Sequence, residues 1–258
     1  MALTEAKERV RLQFEKTAEA YVNSQVHTDG SDLALLPELA GITGSEHVLD
    51  VATGAGHTAF AFAPRVRRVV AIDLSQTMIA KAEAGARKRE LSNMEFWVCD
   101  VDHLPFPDSC FDVVTCRIAA HHFPQLDSAV AEMSRVLRPG GRLLVVDNYA
   151  PADPALDQFI NQFEVTRDPS HIRAHNLAEW EQVMAGADLT FSVAHLFASS
   201  HGLKEWVERA QTPPEAVASL RLQLQQASPE AVKCFSIVSE PELGFRLLKA
   251  ILLGTKAR

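Results

Sequence analysis

Apolar positions along this chain fall into two periods, and their alternation lays out the fold before any single residue is weighed. Val10, Phe14, Ala18 and Tyr21 recur at spacings of four and three, which is one stripe of a helix over residues 3–24. A loop carrying Gly30 follows. A short helix then runs from Asp32, whose carboxylate suits a cap, to about Ala40. From Val48 to Val51 the pattern turns nearly continuous, as in a strand covered on both faces. After a glycine turn, Thr58 to Ala63 carries a short helical run that Pro64 ends. "RVVAIDLS" is a second strand closing on Asp73, and Ser75 opens a helix through "QTMIAKAEAGARKREL", with Met78, Ile79 and Ala82 on one face.

The alternation continues with "MEFWVCD", a third strand ending at Asp100, and "FDVVTCRI", a fourth. A helix over 125–137 comes next, and then "RPGG" turns into a fifth strand, "RLLVVDNY". Strands alternating with helices predict an α/β fold whose parallel sheet is covered on both faces. From residue 153 the pattern changes. Asp153-Pro154 caps a helix whose apolar face is Leu156, Phe159, Ile160 and Phe163, and Asn176 with Glu179 forms a capping box. Residues 189–197 alternate as a strand. Residues 201–234 predict two more helices with breaks at Pro213-Pro214 and Ser228-Pro229. A final strand over 245–256 would pair with 189–197, the helical insert lying over the sheet edge.

The chain has 258 residues, 47% hydrophobic and 22% charged, enough for a sizeable core in one large domain. Its formal net charge of -8 argues against a nucleic-acid partner, which needs clustered Lys and Arg. The basic runs Arg65, Arg67, Arg68 and Arg87, Lys88, Arg89 predict solvated element ends. Cys99, Cys110, Cys116 and Cys234 form no C-x-x-C pair and no metal spacing, so reduced thiols and no metal are expected. The charged start, "MALTEAKERVRLQFEK", has no signal-peptide core, and no apolar run reaches the length of a membrane span, which predicts a cytoplasmic protein.

In an open parallel sheet the ligand sits beyond the carboxyl ends of the strands. "DVATGAG" follows strand one, where Gly54 and Gly56 permit a tight turn and close backbone approach. Asp73, after strand two, is placed to bind a ribose diol, though an acidic cap for the next helix reads as well. After strand three, Asp100 can accept from an adenine amino group while the Val101 amide reaches a ring nitrogen; alone, Asp100 is a loop residue. His121 and His122, after strand four, are candidates for a general base or for positioning an acceptor. His171, Arg173 and His175 either reach over a substrate or form a solvated connection, and the second reading is preferred. His57 follows the glycine turn, and Tyr21 and His27 lie in the N-terminal segment.

Taken together, "VLDVATGAG", "VVAIDLS", "CDVDHLPFPDSCFDVV" and "VLRPGGRLLVVD" resemble the successive motifs of class I S-adenosylmethionine (SAM) dependent methyltransferases. The branch that includes ubiquinone and menaquinone biosynthesis C-methyltransferases is the nearest in kind. The resemblance covers residues 44–150 and extends to 151–258 only in outline. It implies a Rossmann-like, seven-stranded, mostly parallel sheet with an antiparallel last strand and helices on both faces. It divides a single domain into an N-terminal helical lid (1–43), a SAM-binding core (44–150) and substrate-side helices with terminal strands (151–258). It also implies a cofactor site of Asp50, Ala52, Gly54, Gly56, Asp73, Leu74, Met78, Asp100, Val101 and Arg117. In that site Leu74 and Met78 flank the adenine and Arg117 lies near the methionine end. One departure stands out, since the family pattern usually has glycine where this chain has Ala52.

The expected activity is methyl transfer from SAM to a small organic acceptor, on carbon or oxygen, such as a quinol or phenol. Apolar lid helices suit such an acceptor better than a protein or tRNA. Two alternatives are a SAM-binding protein without methyl transfer and a NAD-linked reductase. The reductase fits less well, because the third glycine of G-x-G-x-x-G would fall at Ala59 and no phosphate-binding helix start is expected after "GAGH". No sequence feature sets the oligomeric state.

Overall fold

The computed structural model describes residues 4–22, 31–239 and 242–258. Seven strands form one sheet: β1 (His47–Val51), β2 (Arg68–Asp73), β3 (Met94–Val98), β4 (Phe111–Arg117), β5 (Leu137–Asn148), β6 (Leu189–Gly202) and β7 (Gly244–Lys256). Their spatial order is β3-β2-β1-β4-β5-β7-β6. β1 to β5 pair in parallel, and β7 runs antiparallel to both β5 and β6. This is the Rossmann-like sheet with a reversed last strand.

Among the described residues the helices are α1 (Glu5–Val22), α2 (Ser31–Leu39), α3 (His57–Phe62), α4 (Gln76–Lys88), α5 (Leu126–Val136), α6 (Pro154–Arg167), α7 (Leu177–Gly186), α8 (Leu203–Ala210), α9 (Pro214–Gln225) and α10 (Pro229–Cys234). None is long and apolar enough to cross a membrane. The period-two side-chain alternation of each strand feeds both faces of the sheet. Leu49, Val51, Val70, Ile72, Val114, Leu143 and Val145 pack with Met133 of α5 and Trp180 of α7. Their neighbours Val48, Val69, Ala71, Val113, Leu144 and Val146 pack with Leu36 of α2 and Phe62 of α3 on the other face. A third cluster lies at the start of β7, where Phe163, Trp206, Leu220, Phe235 and Phe245 close the segment after residue 153. Phe163 stacks on Trp206 with ring centroids 4.9 Å apart.

Several boundaries differ from the sequence reading. "RPGG" lies inside β5 rather than before it, forming a bulge where pairing jumps from Phe111↔Leu137 to Val113↔Arg142, with Gly140 at φ +78°. β3 is an edge strand, so Trp97 and Val98 are exposed where the sequence predicts a buried run. β6 extends to Gly202 because its polar end still pairs with β7, up to Gly202↔Gly244. The two proline breaks after residue 201 yield three helices, α8 to α10, not two. α3 begins at His57, directly on Gly56, so a helix does start after "GAGH". Asp32 lies within α2, and its carboxylate binds Arg117. The Gly30 loop and His27 lie outside the described residues, as does the side chain of Tyr21. The two basic runs are exposed, as expected.

Candidate functional site

The carboxyl ends of β1, β2 and β4, with the loop after β3, converge on a cleft of about 1090 Å³. Asp50, Ala52, Gly54, Asp73, Leu74, Met78, Asp100, Val101, Arg117 and His122 all line it. Gly56 and His121 do not. Gly56 caps α3 at φ +92°, and a Cβ there would stand 2.6 Å from the Phe60 ring, so the turn itself requires glycine. α1 covers the cleft with Lys7, Val10 and Phe14.

The glycine turn is organised by two aspartates. Asp73 accepts the Gly54 and Ser75 amide N–H groups, both at 2.9 Å. Asp50 accepts hydroxyls from Thr53 and Thr115, both at 2.6 Å. Burial pushes each carboxyl up to about 6, against the hydrogen bonds that favour the ion. Gly54 has φ +54°, and a Cβ on it would meet no protein atom within 4 Å, so it would stand in the cleft. The donor set therefore fits an adenosyl ligand: an anchored carboxylate for a diol, a bare backbone turn, and Leu74 with Met78 for a flat ring.

Ala52 takes φ +52° at the end of β1, and Ile118 takes φ +53° at the end of β4. Left-handed backbone is costly for alanine and more so for a β-branched residue. Ala52→Gly is therefore expected to stabilise the protein by about 1 kcal/mol, as removal of a Cβ from left-handed backbone does. A denaturant midpoint that stays or falls would contradict this.

Asp100 meets Lys7 of α1, whose Nζ donates to its two oxygens at 2.8 and 2.7 Å and also to Asp102. Burial lowers the Lys7 ammonium, but the two carboxylates outweigh it and hold it above its usual range. Arg117 is buried against Asp32, with Nε 2.5 Å from Oδ2. Four carboxylates, Asp50, Asp73, Asp100 and Asp102, thus line the cleft alongside the cations Lys7 and Arg117.

Phe14, Ile118 and His122 also line a second, smaller chamber of about 470 Å³, where His121 lies. His121 Nδ1 is 2.6 Å from Asp147 Oδ1, at the end of β5. Burial alone would lower this imidazole, yet the Asp147 carboxylate raises it above its ordinary value. His122 donates from Nδ1 to the Ser170 carbonyl at 2.9 Å, which leaves its Nε2 as the lone-pair nitrogen. Burial and the neighbouring His121 push it down to about 4.

His171 corrects the solvated-connection reading. It is buried, its ring centroid lies 5.4 Å from that of His121, and the following amides of Ile172 and Arg173 donate to the His121 carbonyl. Arg173 is held by Asp157 and Glu179, away from both cavities. Cys116 is buried, while Cys99, Cys110 and Cys234 are half-buried; burial raises all four thiols, Cys99 to about 11. The sequence reading misses Lys7, Asp102 and Asp147, and the chamber residues Asn148, Glu164, Arg167, His201, Arg209 and Lys249. Of these, Asp147 obeys the strand-end rule that finds the others.

Residues 49–145 match the model of a family described as a methyltransferase domain. The chain is 38% identical over 243 residues to the uncharacterized methyltransferase YcgJ of Bacillus subtilis (strain 168), covering 93% of this chain and 96% of that protein. The crystal structure of YcgJ superposes with a TM-score of 0.85 at 36% identity, over 88% of this chain and 98% of that one. A putative methyltransferase (BH2331) from Bacillus halodurans C-125 superposes with a TM-score of 0.86 at 39% identity, over 89% and 100%. The ubiquinone/menaquinone biosynthesis C-methyltransferase UbiE of Francisella tularensis subsp. holarctica is 33% identical over 128 residues, 48% of this chain and 51% of that protein.

Proposed function

Since the chain belongs to the class I SAM-dependent methyltransferases, we propose that it methylates a small organic acceptor, on oxygen or carbon, held in the chamber beside the cofactor cleft. Membership in that family sets the NAD-linked reductase aside. When bound, SAM supplies a methyl group on a positively charged sulfur. On this reading Asp73 binds the ribose hydroxyls, Leu74 and Met78 flank the adenine, and Asp100 and Val101 meet its edge. Gly54 leaves room for the methionine part, with Asp50 and Ala52 shaping the turn and Arg117 near the methionine end. α1 serves as a lid fixed by Lys7.

The observation that carries the acceptor assignment is the shared wall of Phe14, Ile118 and His122 between cleft and chamber. His121 faces the chamber with its other nitrogen on Asp147, an arrangement that orients the ring and favours proton uptake at Nε2. His121 is the general base in this reading: the acceptor's oxygen or carbon forms the bond to the methyl carbon, the methyl–sulfur bond breaks, and the acceptor's proton passes to Nε2. His122, lying between the two cavities, positions the acceptor.

The experiment is release of S-adenosylhomocysteine (SAH) from SAM with a panel of phenols, quinols and acidic small molecules. His121→Asn is expected to lower kcat by about 100-fold or more, the scale of general-base catalysis, with SAM affinity unchanged. SAM binding with no turnover on any acceptor would favour a SAM-binding protein that transfers no methyl. Equal kcat in wild type and His121→Asn would remove the base assignment.

A further inference from the structure

The walls of the chamber do not suit the neutral quinol or phenol that the family resemblance implies. Lys249 sits in the middle of the apolar strand β7, directly opposite Asn148 of β5, so the two side chains share one face. Lys249 is only 4% exposed, and its ammonium has no hydrogen-bond or ion-pair partner among the described residues. Arg167 and Arg209 line the same space, and Glu164 is its one carboxylate among the described residues. Glu164 makes no direct ion pair with the lysine: its Oε1 accepts from Asn148 at 2.9 Å, and its Oε2 has no hydrogen-bond partner, with His171 Nδ1 3.9 Å away. Asn148 Oδ1 is likewise buried without a donor.

A buried ammonium that no carboxylate contacts directly is unfavourable, and a ligand that completes it would relieve that cost. Burial, with the Arg117 guanidinium, pushes the Lys249 ammonium down to about 8 against the carboxylates of Asp32, Asp147 and Glu164. The arginines are placed to assist. The Arg167 guanidinium lies 4.6 Å over the Trp206 ring and donates Nε–H to the Trp206 carbonyl, a fixed posture rather than a solvated one. Trp206 and Leu247 supply apolar wall on the remaining sides. Cations on three elements and an aromatic wall describe a receiving site for an acid.

We propose that the acceptor carries an acidic group, a carboxylate or a phosphate, received in this chamber by the ammonium of Lys249 with the guanidinium groups of Arg167 and Arg209 on the adjoining walls. The inference rests on the methyltransferase reading and narrows its substrate class. It also gives the segment after β5 a task, because α6 brings Arg167, α8 brings Arg209 and β7 brings Lys249 to one place.

The test is calorimetric binding to the SAH-loaded protein of two matched pairs, benzoate against benzamide and phenyl phosphate against phenol. Each pair holds the ring constant and changes the acid. At least one acid is expected to bind about tenfold or more tightly than its neutral partner, as a desolvated charge pair allows. Whether benzoate or phenyl phosphate wins separates the two acids. Lys249→Met is expected to erase that preference while SAH binding persists. Since it removes an unpaired buried charge, its melting temperature should hold or rise. Arg167→Gln, as a second variant, should weaken the acid and leave the neutral compound alone.

Equal binding within both pairs, or a preference that survives Lys249→Met, would overturn the inference and leave the methyltransferase reading standing. Failure of SAH itself to bind would bring down both.

Discussion

Asp73→Ala is expected to abolish the thermal shift that SAM and SAH produce on the wild-type protein. A carboxylate accepting two ribose hydroxyls makes charge-assisted hydrogen bonds, and losing both corresponds to about 100-fold or more in affinity. The same carboxylate fixes the Gly54 and Ser75 amides, so the alanine variant also loosens the turn it would read. Asp73→Asn keeps the shape and separates the two effects. Burial places the Asp73 carboxyl at about 6, so the wild type should lose SAM affinity as pH falls through that value. The direction comes from the proton: below about 6 the group is neutral and one oxygen no longer accepts. Asp73→Asn should bind weakly with a flat pH profile. Asp50, also raised to about 6, stays bound to two threonine hydroxyls and serves as the control through Asp50→Asn. Undiminished SAM binding by Asp73→Ala would remove Asp73 from the cofactor site.

Arg117→Met should give the largest loss of stability among single changes in the site. Arg117 and Asp32 are both buried, and removing one member of a buried pair strands the other, at a cost of about 3–5 kcal/mol. The damage would spread, because Asp32 ties α2 to the end of β4. Changing both, Asp32→Leu with Arg117→Met, should recover most of the loss, since apolar replacements can equal a buried pair. Urea unfolding of the two singles and the double decides it. A loss below about 1 kcal/mol in the single would place the pair among weak, solvent-screened bridges.

Much of the site is legible in the sequence because an open parallel sheet puts chemistry at strand ends. Asp73 and Asp100 each close an apolar run, so their convergence comes from the alternation, whereas Asp50 and Arg117 are reached only through the family resemblance. Residues whose surroundings come from elsewhere in the chain are not legible in that way. Lys7 looks like one charge on a polar helix face, and its partners lie 93 and 95 positions away. Glu164, beside Ile160 and Phe163, carries a charge on an apolar stripe. Lys249 interrupts "LLKAILL" in the same way, and such interruptions mark a buried polar role without naming the partner. "SHIRAH" looks solvated because its side chains are polar, yet its backbone is satisfied internally by His121. The number of helices after residue 201 is hidden for another reason: a proline marks where a helix stops or starts, and two such marks leave room for three segments.

With SAM placed in the cleft as proposed, the four carboxylates and two cations on its wall also bear on release of the spent donor. SAM and SAH share adenosine and amino-acid groups and differ by one methyl and one positive charge. An excess of negative charge on the wall therefore favours the donor and gives the spent product no matching gain. On that placement the attraction slackens when the methyl leaves, which would oppose product inhibition without any moving part. The ratio of the two dissociation constants should shift toward parity as ionic strength rises, because screening weakens the sulfonium's attraction, which only SAM has, while the shared amino-acid charges are screened alike.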